Sequence, residues 1–204
     1  GQQGVPEELY QEFMGDITAE IDRENKIITD LLSLVKMDKK SADLQISHMN
    51  INQLLEDILK RLRPIADKRN IDLILDSFRP VEADVDELKF TSAISNLVEN
   101  AIKYNHTDGK VTVSAERKRK EVVLTIADTG NGIDETFRER IFEPFFRVDK
   151  SRSRKIGGVG LGLAMVREIV QVHDGEIEVH GNEQGGTTFE VKMSIERLTI
   201  KSQV

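Results

Sequence analysis

Asn96, Asn100 and Lys103 recur at i, i+4 and i+7, so on a helix two amides and an ammonium share one face. An amide carbonyl suits a hard cation, and an ammonium suits a phosphate. Gly160 and Gly162 stand at the start of an apolar-periodic segment. A helix N-terminus there offers free backbone N–H groups to an anion, and glycine lets the backbone approach closely. Asp128 closes an alternating strand and is followed by Gly130 and Gly132. Its carboxylate can accept from an exocyclic amine, and the glycines leave room for a flat base. Each piece also has a plain structural reading: a solvated helix face, a glycine turn, an Asx turn. Their conjunction points to a nucleotide site.

The common nucleotide loops do not fit. G-x-x-x-x-G-K-[ST] is absent, and Leu163 and Met165 stand where G-x-G-x-x-G needs its third glycine. H-R-D and D-F-G are missing as well. With no cysteine there is no disulfide and no Cys-based metal site. The four histidines, His48, His106, His173 and His180, lack metal-ligand spacing and read as surface or packing residues. Asn105-His106-Thr107 matches a glycosylation acceptor and is read as a chance hit. A net charge of −7 argues against nucleic acid as a partner. No apolar run is long enough to cross a bilayer, so no direct membrane contact is expected.

The elements that must position these residues follow from periodicity. From Glu7 to about Lys39, Tyr10, Met14, Ile17, Ile21, Ile28, Leu31 and Val35 keep alternating steps of four and three, with Glu24 the polar exception. Phe13, Ile27, Leu32 and Leu34 widen the stripe, which suits a helical bundle and requires a partner helix. Lys39 to Asp43 reads as a linker. A strand at Leu44 to Met49, a helix from about Gln53 to Arg69 capped by Asn50 or Asn52 and kinked at Pro64, and strands at Ile71–Asp76 and Val81–Asp84 follow. Asp86 caps the helix bearing Asn96. Lys110–Arg117 and Glu121–Asp128 form a hairpin, and a short helix starts at Asp134. Val148–Ile156 reads as a mobile loop. The glycines at 157–162 open a helix to about His173, and Gly175–His180 and Thr187–Ile195 are closing strands.

In this order the motifs resemble the sensor histidine kinases of two-component systems. Asn96–Asn105 looks like their N box, Asp128-Thr129-Gly130-Asn131-Gly132 their G1 box, Phe142–Phe146 their F box, and Gly158–Gly162 their G2 box. Gly186-Thr187-Thr188-Phe189 looks like the last glycine-threonine element. The first helix resembles the second helix of the dimerisation and histidine-phosphotransfer hairpin, with residues 4–9 like the hairpin turn. The resemblance implies an α+β fold: a Bergerat-type (GHKL) two-layer α/β sandwich with a mixed sheet, preceded by a long N-terminal helix. It implies two parts, 1–40 as a partial hairpin and 41–204 as the catalytic ATP-binding domain.

The same resemblance implies roles. Asn100 would ligate Mg²⁺ with Asn96 beside it, and Lys103 would meet phosphate. Tyr104 would pack near the adenine, Asp128 would take the adenine amino group, and Thr187 or Thr188 would assist. Gly130, Gly132, Ile133, Phe145, Leu161 and Leu163 would line the site. Gly158, Gly160 and Gly162 would hinge a lid and cradle phosphate. Arg147, Lys150, Arg152, Arg154 and Lys155 are candidates for the γ-phosphate. Asn96, Lys103 and Arg147 would carry the catalysis.

ATP and Mg²⁺ are the implied ligands. A homodimer through the first helix and a response-regulator receiver domain are the implied partners. The parent would be a membrane sensor with this domain in the cytoplasm. One departure stands out: no His-Glu-x-x-x-Pro-like phosphoacceptor box occurs in the sequence, so transfer to a histidine of this chain is not expected. Alternatives are a gyrase-type ATPase, a serine kinase, or a non-enzymatic dimerisation module. Asn96 stands where the hydrolytic relatives place an activating glutamate, which argues against the first.

Overall fold

The computed structural model describes residues 7–37, 44–148 and 159–195. By internal contacts the chain divides into two units, Gly1–Lys39 and Lys40–Val204.

The first unit is one 31-residue helix, α1 (Glu7–Met37). It contains no proline, and its single glycine, Gly15, meets nothing within 4 Å. Of the heptad residues, Tyr10, Met14, Ile17, Ile21 and Ile28 are exposed and Leu31 is half-buried; Phe13 and Leu32, which widen the stripe, are exposed as well. The side chains of Val35 and Leu34 lie outside the described set.

The second unit is built on two sheets. β1 (Ile46–Asn50) pairs antiparallel with β3 (Glu82–Asp86), Ile46 opposite Asp86. The larger sheet has the order β2-β4-β5-β7-β6. Its strands are β2 (Asp72–Leu75), β4 (Lys110–Lys118), β5 (Glu121–Asp128), β6 (Glu176–Gly181) and β7 (Thr187–Ser194). β2 runs parallel to β4 and the remaining pairs are antiparallel, so the sheet is mixed.

Alternation sends Val111, Val113, Ala115, Val122, Leu124, Ile126, Phe189, Val191 and Met193 to the core face. Three helices cover that face: α2 (Ile51–Asp67), α3 (Glu87–Lys103) and α4 (Gly162–Val172). On α3, Phe90, Ala93, Ile94, Leu97 and Val98 are fully buried, an i, i+3, i+4, i+7, i+8 stripe. Burying each of the larger ones contributes about 1.5–3 kcal/mol. The result is the expected α+β two-layer sandwich with a mixed sheet.

The structure refines several expectations. Asn50, not Asn52, caps α2, its Oδ1 accepting from Gln53 N–H at 3.1 Å. Asn52 instead fastens the β2–β3 connection, accepting from Val81 N–H at 2.7 Å and donating to Ser77 Oγ at 2.7 Å. α2 continues through Pro64 to Asp67. Beyond the β1–β3 pair, Ile51 N–H donates to Val81 O at 2.8 Å where the chain turns into α2. The helix after the glycine cluster begins at Gly162 itself. The linker stretch 39–43 and most of the loop Val148–Ile156 lie outside the described residues.

Candidate functional site

Asp86 decides where α3 starts. Its Oδ1 accepts from Lys89 N–H at 3.0 Å, and its Oδ2 accepts from Lys89 Nζ at 2.9 Å. Burial pushes this carboxyl up, but the bonds from Lys89 and from Gln45 N–H outweigh it and hold it below its ordinary range. At the other end of α3, Arg69 caps the last carbonyls, with Nη1 on Ile102 O and Lys103 O and Nη2 on Asn105 O at 2.8 Å. A cation at a helix C-terminus is favoured by the dipole. α3 is therefore held at both ends, and Asn96, Asn100 and Lys103 sit between.

Asn96 is half-buried, and its Nδ2 donates back to Ser92 O at 3.0 Å. That bond turns Oδ1 outward against Gly162, where a Cβ would stand 3.0 Å from it. α4 starts there with no side-chain cap on its first turn, so its N–H groups remain available. Gly160 has φ +82, and a Cβ on it would meet Phe146 O at 2.7 Å, so only glycine fits. Gly160 O accepts from Phe145 N–H at 2.9 Å, and Phe145 itself lies at φ 65, a strained conformation for an aromatic residue. Leu161 is buried beneath the turn and Leu163 is half-buried.

Asp128, 6% exposed, ends β5. Its Oδ1 accepts from Gly130 N–H at 2.8 Å and from Thr187 N–H at 3.2 Å. Burial pushes the carboxyl pKa up, and those two N–H groups only partly oppose it. Both bonds use Oδ1, which leaves Oδ2 for an incoming donor. Gly130 packs under the C-terminal end of α3: a Cβ would meet Tyr104 O at 2.5 Å. Gly132 has φ +67 and faces Gly185 O. Both glycines are thus required by contact with neighbouring backbone, a reason distinct from admitting a base. Ile133 is half-buried beside them, its carbonyl accepting from Arg138 Nε at 3.3 Å.

Thr187 and Thr188 do not share a face. The strand alternation puts Thr187, 5% exposed, on the core side with Asp128. Thr188 lies on the outer face, its Oγ1 accepting from Asn182 Nδ2 at 3.4 Å. Of the expected pair, Thr187 joins Asp128 and Thr188 does not.

Lys103 Nζ lies 5.4 Å from the Tyr104 ring centroid. Tyr104 is half-exposed; burial raises its pKa, and the Arg147 charge pulls the other way. Arg147 Nη2 is buried and has no hydrogen-bond partner among the described residues. A buried N–H without an acceptor costs about 1–3 kcal/mol, and an anion at that point would relieve it. Gly158, Lys150, Arg152, Arg154 and Lys155 lie outside the described residues.

Sequence reasoning missed three supports. Asn182 Oδ1 accepts from Gln184 and Gly186 N–H, and its Nδ2 donates to Asp128 O at 2.8 Å, bracing the carboxylate strand. The Asn182-x-x-Gly185-Gly186 spacing is an Asx-turn signal that could have revealed it. Asn105 is buried, with Nδ2 on Lys110 O at 2.9 Å and Oδ1 accepting from His106 N–H and Thr129 Oγ1. Its amide is engaged in the fold and is not presented to a glycosylating enzyme. Arg69 carries no local signal, since its partners lie more than thirty residues away.

The residues available for a metal are also informative. Among the described residues no group of three or more His, Asp or Glu side chains could hold one. A divalent cation beside Asn96 and Asn100 would have to draw its remaining ligands from phosphate and water, the usual habit of Mg²⁺.

The profile of the family described as "Histidine kinase-, DNA gyrase B-, and HSP90-like ATPase" matches residues 85–197, more than half of the chain. The chain is 35% identical over 173 residues to the sensor histidine kinase WalK of Bacillus subtilis (strain 168), covering 83% of this chain and 28% of that protein. It is 30% identical over 182 residues to the sensor-like histidine kinase SenX3 of Mycobacterium tuberculosis, covering 89% of this chain and 44% of that one. It therefore spans less than half the length of these relatives. Among solved structures, the catalytic domain of histidine kinase ThkA superposes with a TM-score of 0.67 at 26% identity, over 74% of this chain and 97% of that one. The Acinetobacter baumannii histidine kinase AdeS shares the fold, with a TM-score of 0.76 at 23% identity over 97% of this chain and 89% of that one. With the motifs of residues 96–189 inside the matched span, the chain belongs to the histidine kinase-, DNA gyrase B- and HSP90-like ATPase family.

Proposed function

We propose that the chain is the ATP-binding catalytic core of a sensor histidine kinase. It holds Mg-ATP so that the γ-phosphoryl passes to a histidine nitrogen, with ADP as the leaving group, and from there to an aspartate of a response regulator. The observation that carries this reading is the Asp128 carboxylate, buried and tied by Oδ1 to two backbone N–H groups. That arrangement presents Oδ2 to an exocyclic amine. Thr187 shares its face, and Asn182 braces its strand.

At the phosphate end, the uncapped first turn of α4, Gly160 and Gly162 form a cradle that any Cβ would fill. Asn96 and Asn100 supply amide oxygens for Mg²⁺, and Lys103 and Arg147 supply positive charge. Phosphoryl transfer needs positioning and charge neutralisation more than covalent help, and these are the groups the site provides. Asn96 is no general base, so water activation is not favoured. We assign the first unit, with its uncovered apolar stripe, to half of a dimerisation and phosphotransfer hairpin. Histidine kinase ThkA, in its crystal structure in complex with the response regulator protein TrrA, is similar to this chain at 25% identity and a TM-score of 0.74. A receiver domain is the corresponding partner proposed here.

Incubation with γ-labelled Mg-ATP, alone and with a separately supplied histidine hairpin of a related kinase, tests this. Retained nucleotide, little free phosphate and label on the supplied hairpin are expected. Sustained phosphate release without label on the hairpin would move the assignment to an ATPase.

A further inference from the structure

α3 and α4 lie side by side and antiparallel, and two contacts mark their axial register. At one end Asn96 Oδ1 abuts Gly162. At the other, the backbone N–H of Asp86, the N-cap of α3, donates to His173 Nε2 at 2.9 Å. His173 is the C-cap of α4 and is buried, 6% exposed. Its Nδ1 faces Ile169 O at 2.6 Å. A carbonyl only accepts, so the proton sits on Nδ1 and the Nε2 lone pair is the acceptor. The ring also packs against Phe90, centroids 6.0 Å apart.

The donor is itself held rigidly. The Asp86 carboxylate accepts from Lys89 N–H, Lys89 Nζ and Gln45 N–H, and Asp86 closes the β1–β3 pair opposite Ile46. The two contacts are ten residues apart on α3 and eleven on α4, about 15–17 Å along each helix. Equal spans between two fixed points leave little room for α4 to slide. The first point lies in the candidate phosphate cradle and the second lies far from it.

We propose that His173 is a positioning residue for the nucleotide site. Its Nε2 lone pair anchors α4 at the register that sets Gly162 against Asn96. This rests on the reading that those residues face the phosphates of ATP. Asp128, on β5, is held by Gly130, Thr187 and Asn182, none of which His173 touches through a described bond. Loss of the anchor therefore acts on phosphate binding and spares the adenine pocket.

The test compares His173→Phe, which keeps a ring against Phe90 but has no acceptor, with His173→Gln, whose Oε1 reaches about as far as Nε2. Mg-ATP and adenosine are each titrated into the full chain, by calorimetry and by NMR, at a temperature where circular dichroism shows every variant folded. For His173→Phe, affinity for Mg-ATP is expected to fall about tenfold or more, while affinity for adenosine stays within about twofold. His173→Gln should recover Mg-ATP binding to within about twofold.

Unchanged Mg-ATP binding by His173→Phe would overturn the proposal. So would an equal loss for adenosine, the mark of a merely structural lesion, or a His173→Gln variant as weak as His173→Phe. If His173→Phe does not fold, His173→Asn replaces it: its amide is too short to reach Asp86, and normal Mg-ATP binding by that variant would be equally fatal. An unaltered chain that binds neither ligand would overturn the nucleotide reading itself, and this proposal with it.

Discussion

The backbone N–H of Thr187 donates to Asp128 Oδ1 at 3.2 Å, joining the start of β7 to the end of β5. Gly186 just before it leaves no room for a Cβ, which would collide with Asp128 O. The candidate adenine acceptor is thus fixed by two backbone N–H groups in a turn only glycine can make. Its raised pKa, caused by burial, means that the ionised form costs stability in the fold. For such a group the contribution is present at low pH and is lost as pH rises through the raised value. Asp128→Asn keeps an oxygen for Gly130 and Thr187 and removes the buried charge. Its thermal midpoint at pH 7 should equal or exceed that of the unaltered chain. ATP affinity should fall about 10- to 100-fold, because a charge-assisted acceptor worth about 1.5–3 kcal/mol is replaced by an amide. Calorimetric titration and a melting curve on the same samples check both halves.

Arg147 gives a second trade-off. Its buried Nη2 lacks a partner among the described residues, so Arg147→Met should leave the melting temperature unchanged or raise it. If the group serves the γ-phosphate, ATP affinity falls several-fold and ADP affinity does not. Equal losses for both nucleotides would place Arg147 elsewhere.

Two glycines in one turn should respond differently to alanine. Gly160→Ala meets backbone at Phe146 O and needs a positive φ, so a loss of about 1–2 kcal/mol is expected in urea unfolding. Gly162→Ala meets only the Asn96 side chain and stands at the first position of α4 with no positive φ. Its stability should be near that of the unaltered chain. Its Mg-ATP affinity should still fall several-fold, because Asn96 Oδ1 must move.

His48 offers a pH test away from the site. Hydrogen bonds from its ring to Asp84 at 2.8 Å and Glu82 at 3.2 Å raise its pKa above 6.5. A raised histidine adds stability that is complete below its ordinary pKa and is lost as pH rises through the folded value. The urea midpoint should therefore fall between pH 6 and pH 8 more in the unaltered chain than in His48→Gln. The effect should be small and salt-sensitive, since all three groups are exposed. Parallel curves for the two proteins would show that the cluster contributes nothing.

Much of this protein is local and therefore legible in its sequence. The period-2 runs gave β4, β5 and β7, the heptad gave α1, and Asp86 announced α3, because alternation and capping act within a few residues. The spacing of Asn96, Asn100 and Lys103, and the glycines around Asp128 and Gly160, named the candidate site. What the sequence left open depended on partners far along the chain. Thr187 rather than Thr188 belongs with Asp128 because the pleat and the β5–β7 register put them on opposite faces. Asn52 is drawn from capping into the β2–β3 connection by Val81 N–H, 29 residues on. Arg69 caps α3 across a gap of 33 residues, and His173 reaches Asp86 across 87. No periodicity encodes such meetings. They exist only once the helices are packed on the sheet, where a buried N–H or carbonyl must find whatever partner the fold brings to it.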